Sequence, residues 1–277
     1  MTDRPRFIDL HSHSTASDGQ YAPAEVAERA ACAGVAVWSL TDHDSVAGTE
    51  AARRAAEALG VRFVAGIELS VHLDRREVHV LGHFVDPGSE ALRRFEDLLA
   101  EKRRVRMEEM IRKLAPLGVK LTPDEVEQFS GGKTLGRPHV ARAIMEKGLV
   151  GSVREAFDRF LGEGRPAYVG RYRLTAEDAI EIIRGAGGAA TIAHPGVNRL
   201  ERGDIERLAG WGLAGIEVGH PEHVPSQREK YRRIADELGL VATSGSDFHG
   251  EVVAPGRHLG ATGMCEEQLR QLEGRRG

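Results

Sequence analysis

Short apolar runs rich in β-branched and small residues recur along this chain, most of them followed by a longer stretch with apolar positions three and four apart. The first run, Phe7-Ile8-Asp9-Leu10-His11-Ser12-His13, predicts a strand closed by a Ser/Thr-rich turn that reaches Asp18 and Gly19. Residues 22–32 then predict a helix, with Val26, Ala27, Ala30 and Ala31 on one stripe and Gly34 as its stop. Residues 35–40 predict a second strand, ending in Thr41-Asp42-His43-Asp44. A helix over about 46–59 stops at Gly60, and residues 62–67 predict the next strand, ending in Glu68. The stretch 77–85 alternates apolar and polar positions, contains His79, and ends at the turn Asp86-Pro87-Gly88.

From about residue 90 the pattern changes. Residues 92–117 read as one long helix of mixed charge, and the segments after it to about 161 are helical, with no strand among them. The span 90–170 is therefore expected to be a helical insertion. Alternation then resumes. Helices are predicted over 176–185, 205–211, 226–238 and 266–272, and strands over 189–193, 215–218 and 240–243. The strands end in Ala193-His194-Pro195-Gly196, Gly219-His220 and Ser244-Gly245-Ser246-Asp247-Phe248-His249. About seven strands joined by helices predict an α/β fold with a mostly parallel sheet, closed or nearly closed into a barrel. No Gly-x-Gly-x-x-Gly follows the first strand, which argues against a dinucleotide fold.

Composition narrows the function. The 277 residues suffice for one barrel-sized domain with an insertion. A formal charge of −4 argues against a generally basic nucleic-acid surface. Cys32 and Cys265 belong to no Cys-x-x-Cys pair, so zinc-finger and disulfide frameworks are excluded and a reducing compartment fits. There is neither an apolar run long enough to span a membrane nor an apolar signal core near the start, so a cytoplasmic location is expected. The twelve histidines are the unusual feature.

Their placement suggests a metal site. His11 and His13 share one side of an extended strand, and Asp18 can reach back toward them. Taken alone, that pair is a weak signal and reads more readily as two partly buried or surface histidines. But His43, Glu68, His194, Asp247 and His249 also stand at predicted strand ends, and His79 lies within a strand. In a parallel α/β barrel those ends converge on one face, so residues from 11 to 249 can meet in one pocket. Imidazole with carboxylate suits Mn²⁺, Fe²⁺ or Zn²⁺ better than Mg²⁺ alone. Metals so held would activate a water for hydrolysis of a phosphate ester, and no protein nucleophile is apparent.

The order His-x-His, Ser-Asp-Gly, Thr-Asp-His-Asp, Gly-x-Glu, an internal His, Ala-His-Pro and Gly-Ser-Asp-x-His resembles the PHP (polymerase and histidinol phosphatase) family. The helical insertion ahead of Ala-His-Pro is similar to the nucleoside 3′,5′-bisphosphate phosphatase and RNase AM group. The resemblance implies a distorted (β/α)7 TIM-like barrel, made of residues 1–89 and 171–277, with residues 90–170 as a substrate cap. It also implies three divalent metal ions, with Mn²⁺ the first choice. His11, His13, Glu68 and Asp247 would surround one, Glu68 would bridge to a second held by His79 and His194, and Asp18, His43 and His249 would hold the third.

For substrate contacts the sequence offers Arg137 and His139, which flank Pro138 at a predicted helix start suited to phosphate. Arg257, and His223 on a loop at the barrel mouth, are further candidates, beside His220 and His258. Asp42 and Asp44 flank His43 as acceptors that could orient ligands, while His72, His83, Trp38, Phe63 and Trp211 read as structural. The expected activity is removal of the 3′-phosphate from nucleoside 3′,5′-bisphosphates, with short 5′-phosphorylated RNA as a further substrate. No membrane and no obligate protein partner are expected. A histidinol-phosphatase activity and a non-catalytic, metal-stabilised scaffold are the alternatives. An amidohydrolase barrel is disfavoured, since no lysine stands at a mid-barrel strand end.

Overall fold

The computed structural model describes residues 7–129 and 135–277. The chain forms two compact units, one of residues 1–93 with 173–277 and one of residues 94–172.

The first unit begins with β1 (Phe7–Asp9), α1 (Pro23–Cys32), β2 (Val35–Leu40), α2 (Thr49–Ala58), β3 (Arg62–Leu73) and β4 (Arg76–His83). The long helix α3 (Glu90–Leu114) leads into the second unit, which adds α4 (Pro123–Glu127), α5 (Arg137–Glu146) and α6 (Val153–Ala156). The first unit resumes with β5 (Leu174–Thr175), α7 (Ala176–Gly185), β6 (Ala189–Ile192), α8 (Arg202–Gly210) and β7 (Gly215–Gly219). It ends with α9 (Pro225–Leu238), β8 (Val241–Ser244) and α10 (Glu266–Glu273).

The sheet runs β1-β2-β3-β4-β6-β7-β8, with the short β5 paired to β3 off this path. Its two end strands are tied to each other just past their regular spans. Leu10 N–H donates to Ser244 O at 3.1 Å, Asp247 N–H to His11 O at 2.8 Å, and His13 N–H to Phe248 O at 2.8 Å. These main-chain bonds join the chain just past β1 to the end of β8 and the loop after it, without a regular ladder. β6 and β8 are buried along their whole length, on both faces, as a helix-covered sheet requires. Alanines on α1 and α2 let both helices pack closely on Trp38 and Leu40 of β2.

Two expectations are corrected. β3 does not stop at Glu68 but runs on to Leu73 and turns back into β4, so Glu68 lies mid-strand. β4 is antiparallel to both β3 and β6, a reversal within an otherwise parallel sheet. The turn residue Asp74 takes a left-handed φ of 58°, which a short polar side chain tolerates. β1 also ends earlier than the apolar run suggested, because residues beyond Asp9 bond to loops on both sides.

The second unit is helical and has its own core, in which Met107, Met110 and Leu114 of α3 meet Val140 and Ile144 of α5. Among the described residues no helix is long and apolar enough to cross a membrane.

Candidate metal centre

Ser12 separates the two histidines of the opening motif and is held from β2. Its Oγ donates to Ser39 O at 2.9 Å and accepts from Trp38 Nε1 at 2.8 Å. With Ser12 fixed outward, His11 and His13 both turn inward and are fully buried. Gly19 and Gly245 permit this crowding. A Cβ on Gly19 would lie 2.7 Å from the His13 carbonyl, and one on Gly245 would lie 2.2 Å from the Cβ of His11.

Glu68, fully buried in β3, is the hub of the site. Its Oε2 lies 3.2 Å from His11 Nε2, 3.1 Å from His13 Nε2 and 3.3 Å from His43 Nδ1. Its Oε1 lies 3.0 Å from His79 Nδ1 and 3.3 Å from His194 Nε2. The register pairs Ser70 with His79, so Glu68 and His79 share one face of the β3–β4 hairpin. Asp247 Oδ1 closes the other side, 3.3 Å from His11 Nε2 and 3.2 Å from His13 Nε2. Asp18 Oδ1 stands 3.4 Å from His249 Nε2, and Asp18 Oδ2 is 3.8 Å from His43 Nε2.

Three groups could hold a metal: His11, His13, Glu68 and Asp247; His13, Asp18, His43 and His249; and His43, Glu68 and His79. His194 belongs to none of these groups; its Nε2 meets the site at Glu68 Oε1. His194 and Asp247 have left-handed backbones, with φ of 26° and 50°, conformations non-glycine residues adopt only when their surroundings enforce them.

The donor set fits a cation. His11 Nε2 and His13 Nε2 face each other at 3.1 Å with two carboxylate oxygens beside them, an arrangement of lone pairs that repel unless a positive charge sits among them. Separations of 3.1–3.3 Å match adjacent donors of an ion bound at about 2.1 Å. His13 Nδ1 and His43 Nδ1 are buried without a hydrogen bond. Burial alone would raise Glu68 and Asp247, yet the surrounding imidazoles hold both carboxyls well below the usual range. His13 and His43 diverge. Burial lowers both, but carboxylate contacts lift His13 to about 9, while His43 falls to about 4.

Glu217 and Asn198, which sequence reasoning missed, complete the centre together with Asp42 and His220. Glu217, fully buried in β7, accepts from His11 Nδ1 at 2.9 Å and from His194 N–H at 2.7 Å. That bond puts the His11 proton on Nδ1 and aims the Nε2 lone pair at the cluster. Its one signal was a lone carboxylate inside the apolar run Gly215-Ile216-Glu217-Val218. Asn198 engages His194 Nδ1 at 3.0 Å, and His220 meets Asp247 Oδ2 at 3.2 Å. Asp42 accepts from Ser14 N–H at 2.8 Å and Ser17 Oγ at 2.6 Å, fixing the turn that carries Asp18.

His223 does not serve as expected. It is buried, its Nδ1 donates to Val218 O at 3.0 Å, and its Nε2 accepts from Gly196 N–H at 3.0 Å. Both ring nitrogens are committed to main chain, so none is left for a substrate. His83 is structural as expected, donating Nε2–H to Leu10 O at 3.0 Å. Arg257 lines a cavity of 370 Å³ with Asp18, Glu222 and His249, and its guanidinium bonds Asp247 and Glu222.

Arg137 and His139 belong to the second unit, on the first turn of α5. His139 Nδ1 lies 3.0 Å from Gly136 N, and since that main-chain group can only donate, the imidazole proton is on Nε2.

Comparison with known proteins agrees with this geometry. The PHP domain family matches residues 9–160. A 3′,5′-nucleoside bisphosphate phosphatase of Chromobacterium violaceum is 38% identical over 280 residues, spanning 97% of each chain. A 5′-3′ exoribonuclease of Haemophilus influenzae is 36% identical, spanning 87% of this chain and 89% of its own. A Bifidobacterium adolescentis structure described as a candidate metal-dependent phosphoesterase superposes with a TM-score of 0.72 at 29% identity, over 98% of this chain and 96% of that one. With more than half its length matched and a whole-length relative above 30% identity, this chain belongs to the PHP domain family.

Proposed function

We propose that this protein removes the 3′-phosphate of nucleoside 3′,5′-bisphosphates, taking adenosine 3′,5′-bisphosphate to AMP, and that it also acts on short 5′-phosphorylated RNA from the 5′ end. It is a hydrolase of phosphate esters that depends on metal ions. The observation that carries the proposal is the buried Glu68, with imidazoles from five separate positions on its two oxygens. The whole-length likeness to the C. violaceum phosphatase supports the first substrate, and that to the H. influenzae exoribonuclease the second.

In this proposal His11, His13, Glu68 and Asp247 hold one divalent ion, Glu68 with His79 and His194 a second, and Asp18, His43 and His249 a third. An imidazole-rich donor set favours Mn²⁺, with Fe²⁺ or Zn²⁺ also suited. Bound ions of this kind supply Lewis acidity and an activated water. The chain's own residues hold and orient. Glu217 fixes the tautomer of His11, and Asp42 fixes the turn bearing Asp18. Arg257 offers a guanidinium beside Asp18 and His249, where a phosphoryl group being cleaved would sit. Arg137 and the Nε2–H of His139 take the other phosphate, which makes the helical unit the substrate cap. The two exposed, unpaired cysteines, Cys32 and Cys265, suit a reducing compartment such as the cytoplasm.

The test is phosphate release from adenosine 3′,5′-bisphosphate by Mn²⁺-loaded protein, with products resolved. Loss of the 3′-phosphate, leaving AMP, is expected. Cleavage of histidinol phosphate instead would overturn the substrate, and silence on both would leave a scaffold.

A further inference from the structure

Asp18 differs from the other carboxylates of the metal centre. Its side chain is 55% exposed, whereas those of Glu68 and Asp247 are 1% and 6% exposed. Close packing fixes the two buried carboxylates and does not fix Asp18. Its place 3.4 Å from His249 Nε2 needs another cause.

That cause lies in the residues that follow each of the two ligands. Gln20 N–H donates to His249 O at 2.7 Å, and Val252 N–H donates back to Gln20 Oε1 at 3.0 Å. The two segments touch here, since a Cβ on Gly250, whose φ is 99°, would lie 2.4 Å from the Gln20 Cβ. One residue further along, the Tyr21 hydroxyl donates to Glu251 Oε2 at 2.7 Å. Arg29 of α1 donates to the other oxygen, Oε1, at 3.0 Å, and its guanidinium covers the Tyr21 ring at 3.5 Å. The same ring stacks on Phe248, with centroids 6.2 Å apart and an interplanar angle of 7°. Phe248 is buried and stands in the chain between Asp247 and His249.

The side chains of Arg29 and Glu251 are both open to solvent, and an isolated pair of that kind contributes little. Here one carboxylate takes a phenol and a guanidinium, and the phenol ring leans on the segment that carries two ligands. The network ties the turn after Asp18 to the loop after His249, and both to α1. Glu251 belongs to none of the donor groups, so its carboxylate acts through position.

We propose that Tyr21, Arg29 and Glu251 form a brace that sets the separation of Asp18 and His249, and with it the affinity of the Asp18, His43 and His249 site for a divalent ion. They are positioning residues for that site and not for the ions around Glu68. The inference rests on the assignment of ions proposed above.

The test titrates Mn²⁺ into the metal-free full chain and follows free Mn²⁺ by electron paramagnetic resonance. It compares wild type, Tyr21→Phe, Glu251→Ala, the ligand variant Asp18→Asn and, as a control that breaks a surface pair with Arg62, Glu273→Gln. Asp18→Asn should weaken or remove one class of bound ion, which identifies the class. That class should weaken about tenfold in Glu251→Ala, and at least about threefold in Tyr21→Phe, which keeps the ring stack. The other classes should hold in both variants, and Glu273→Gln should match wild type. An unchanged class in either brace variant, equal weakening of every class, or the same loss in Glu273→Gln overturns the proposal. If Asp18→Asn binds as many ions as wild type and as tightly, the assignment of ions itself falls and takes the brace with it. That failure is told from the others by the silence of the ligand variant.

Discussion

Glu217 shows how much one side chain can organise. It joins β7 to the opening motif through His11 and to the β6 terminus through the His194 main chain. Glu217→Gln keeps the volume but removes the charge facing His11 Nδ1–H. Mn²⁺ affinity should fall about 10- to 100-fold, read by competition with a metallochromic chelator, and a change of less than threefold would refute the positioning role. His83 supplies a pH-dependent case. Burial pushes its pKa down from 6.5 to about 4. Between those values the unfolded chain binds more protons, so this contribution to stability is full above pH 6.5 and is lost as pH falls toward 4. About 2 kcal/mol should go between pH 7 and pH 5. Urea midpoints should show this acid loss in wild type and a shallower one in His83→Gln. The histidines of the metal centre were readable from sequence because all but His79 end or follow an apolar run, and His79 lies within one. Glu217 was not, since nothing local tells a buried acceptor from an ordinary strand residue. His223 misled for the converse reason, since its partners, Val218 O and Gly196 N–H, are main-chain atoms that no side-chain pattern displays.

Among the elements, the β3–β4 hairpin and the β1–β8 junction place the donors. The hairpin register sets His79 on the face of Glu68, and a one-residue slip would turn it to the opposite face. Inserting one glycine between Asp74 and Arg75 should therefore lower the bound Mn²⁺ per chain, measured by elemental analysis after dialysis. An unchanged metal content would show that the register does not control the site. At the junction, a Cβ on Gly245 meets the His11 Cβ, so Gly245→Ala should destabilise the chain by about 1–3 kcal/mol and lower its melting temperature. The parallel βα units were plain in the sequence because their apolar runs are continuous and each is followed by a helix. The reversal at β4 was hidden, since alternation reads the same in either direction and only pairing fixes polarity.

At the scale of the whole molecule, the two units should respond differently to metal. The first unit buries Glu68, Asp247 and Glu217 among imidazoles, whereas the core of the second is apolar, built on Met107, Met110, Val140 and Ile144. Ions that bind only the folded state add about 1.4 kcal/mol for each tenfold excess over their dissociation constant. Chelation should thus speed hydrogen exchange in β1, β3, β7 and β8 far more than in α5. Equal acceleration in both would mean that the metal supports the chain uniformly.

The main-chain bonds between residues 10–13 and 244–248 have a consequence for synthesis. Ser246 N–H reaches Asp9 across 237 positions of sequence, so the junction that frames the donors cannot form until residue 248 has left the ribosome. The helical unit, continuous in sequence, is free to fold long before that. A nascent or prematurely terminated chain therefore carries histidines but no coordination cage. Assembly of the donor cage thus waits for the segment that carries Asp247 and His249.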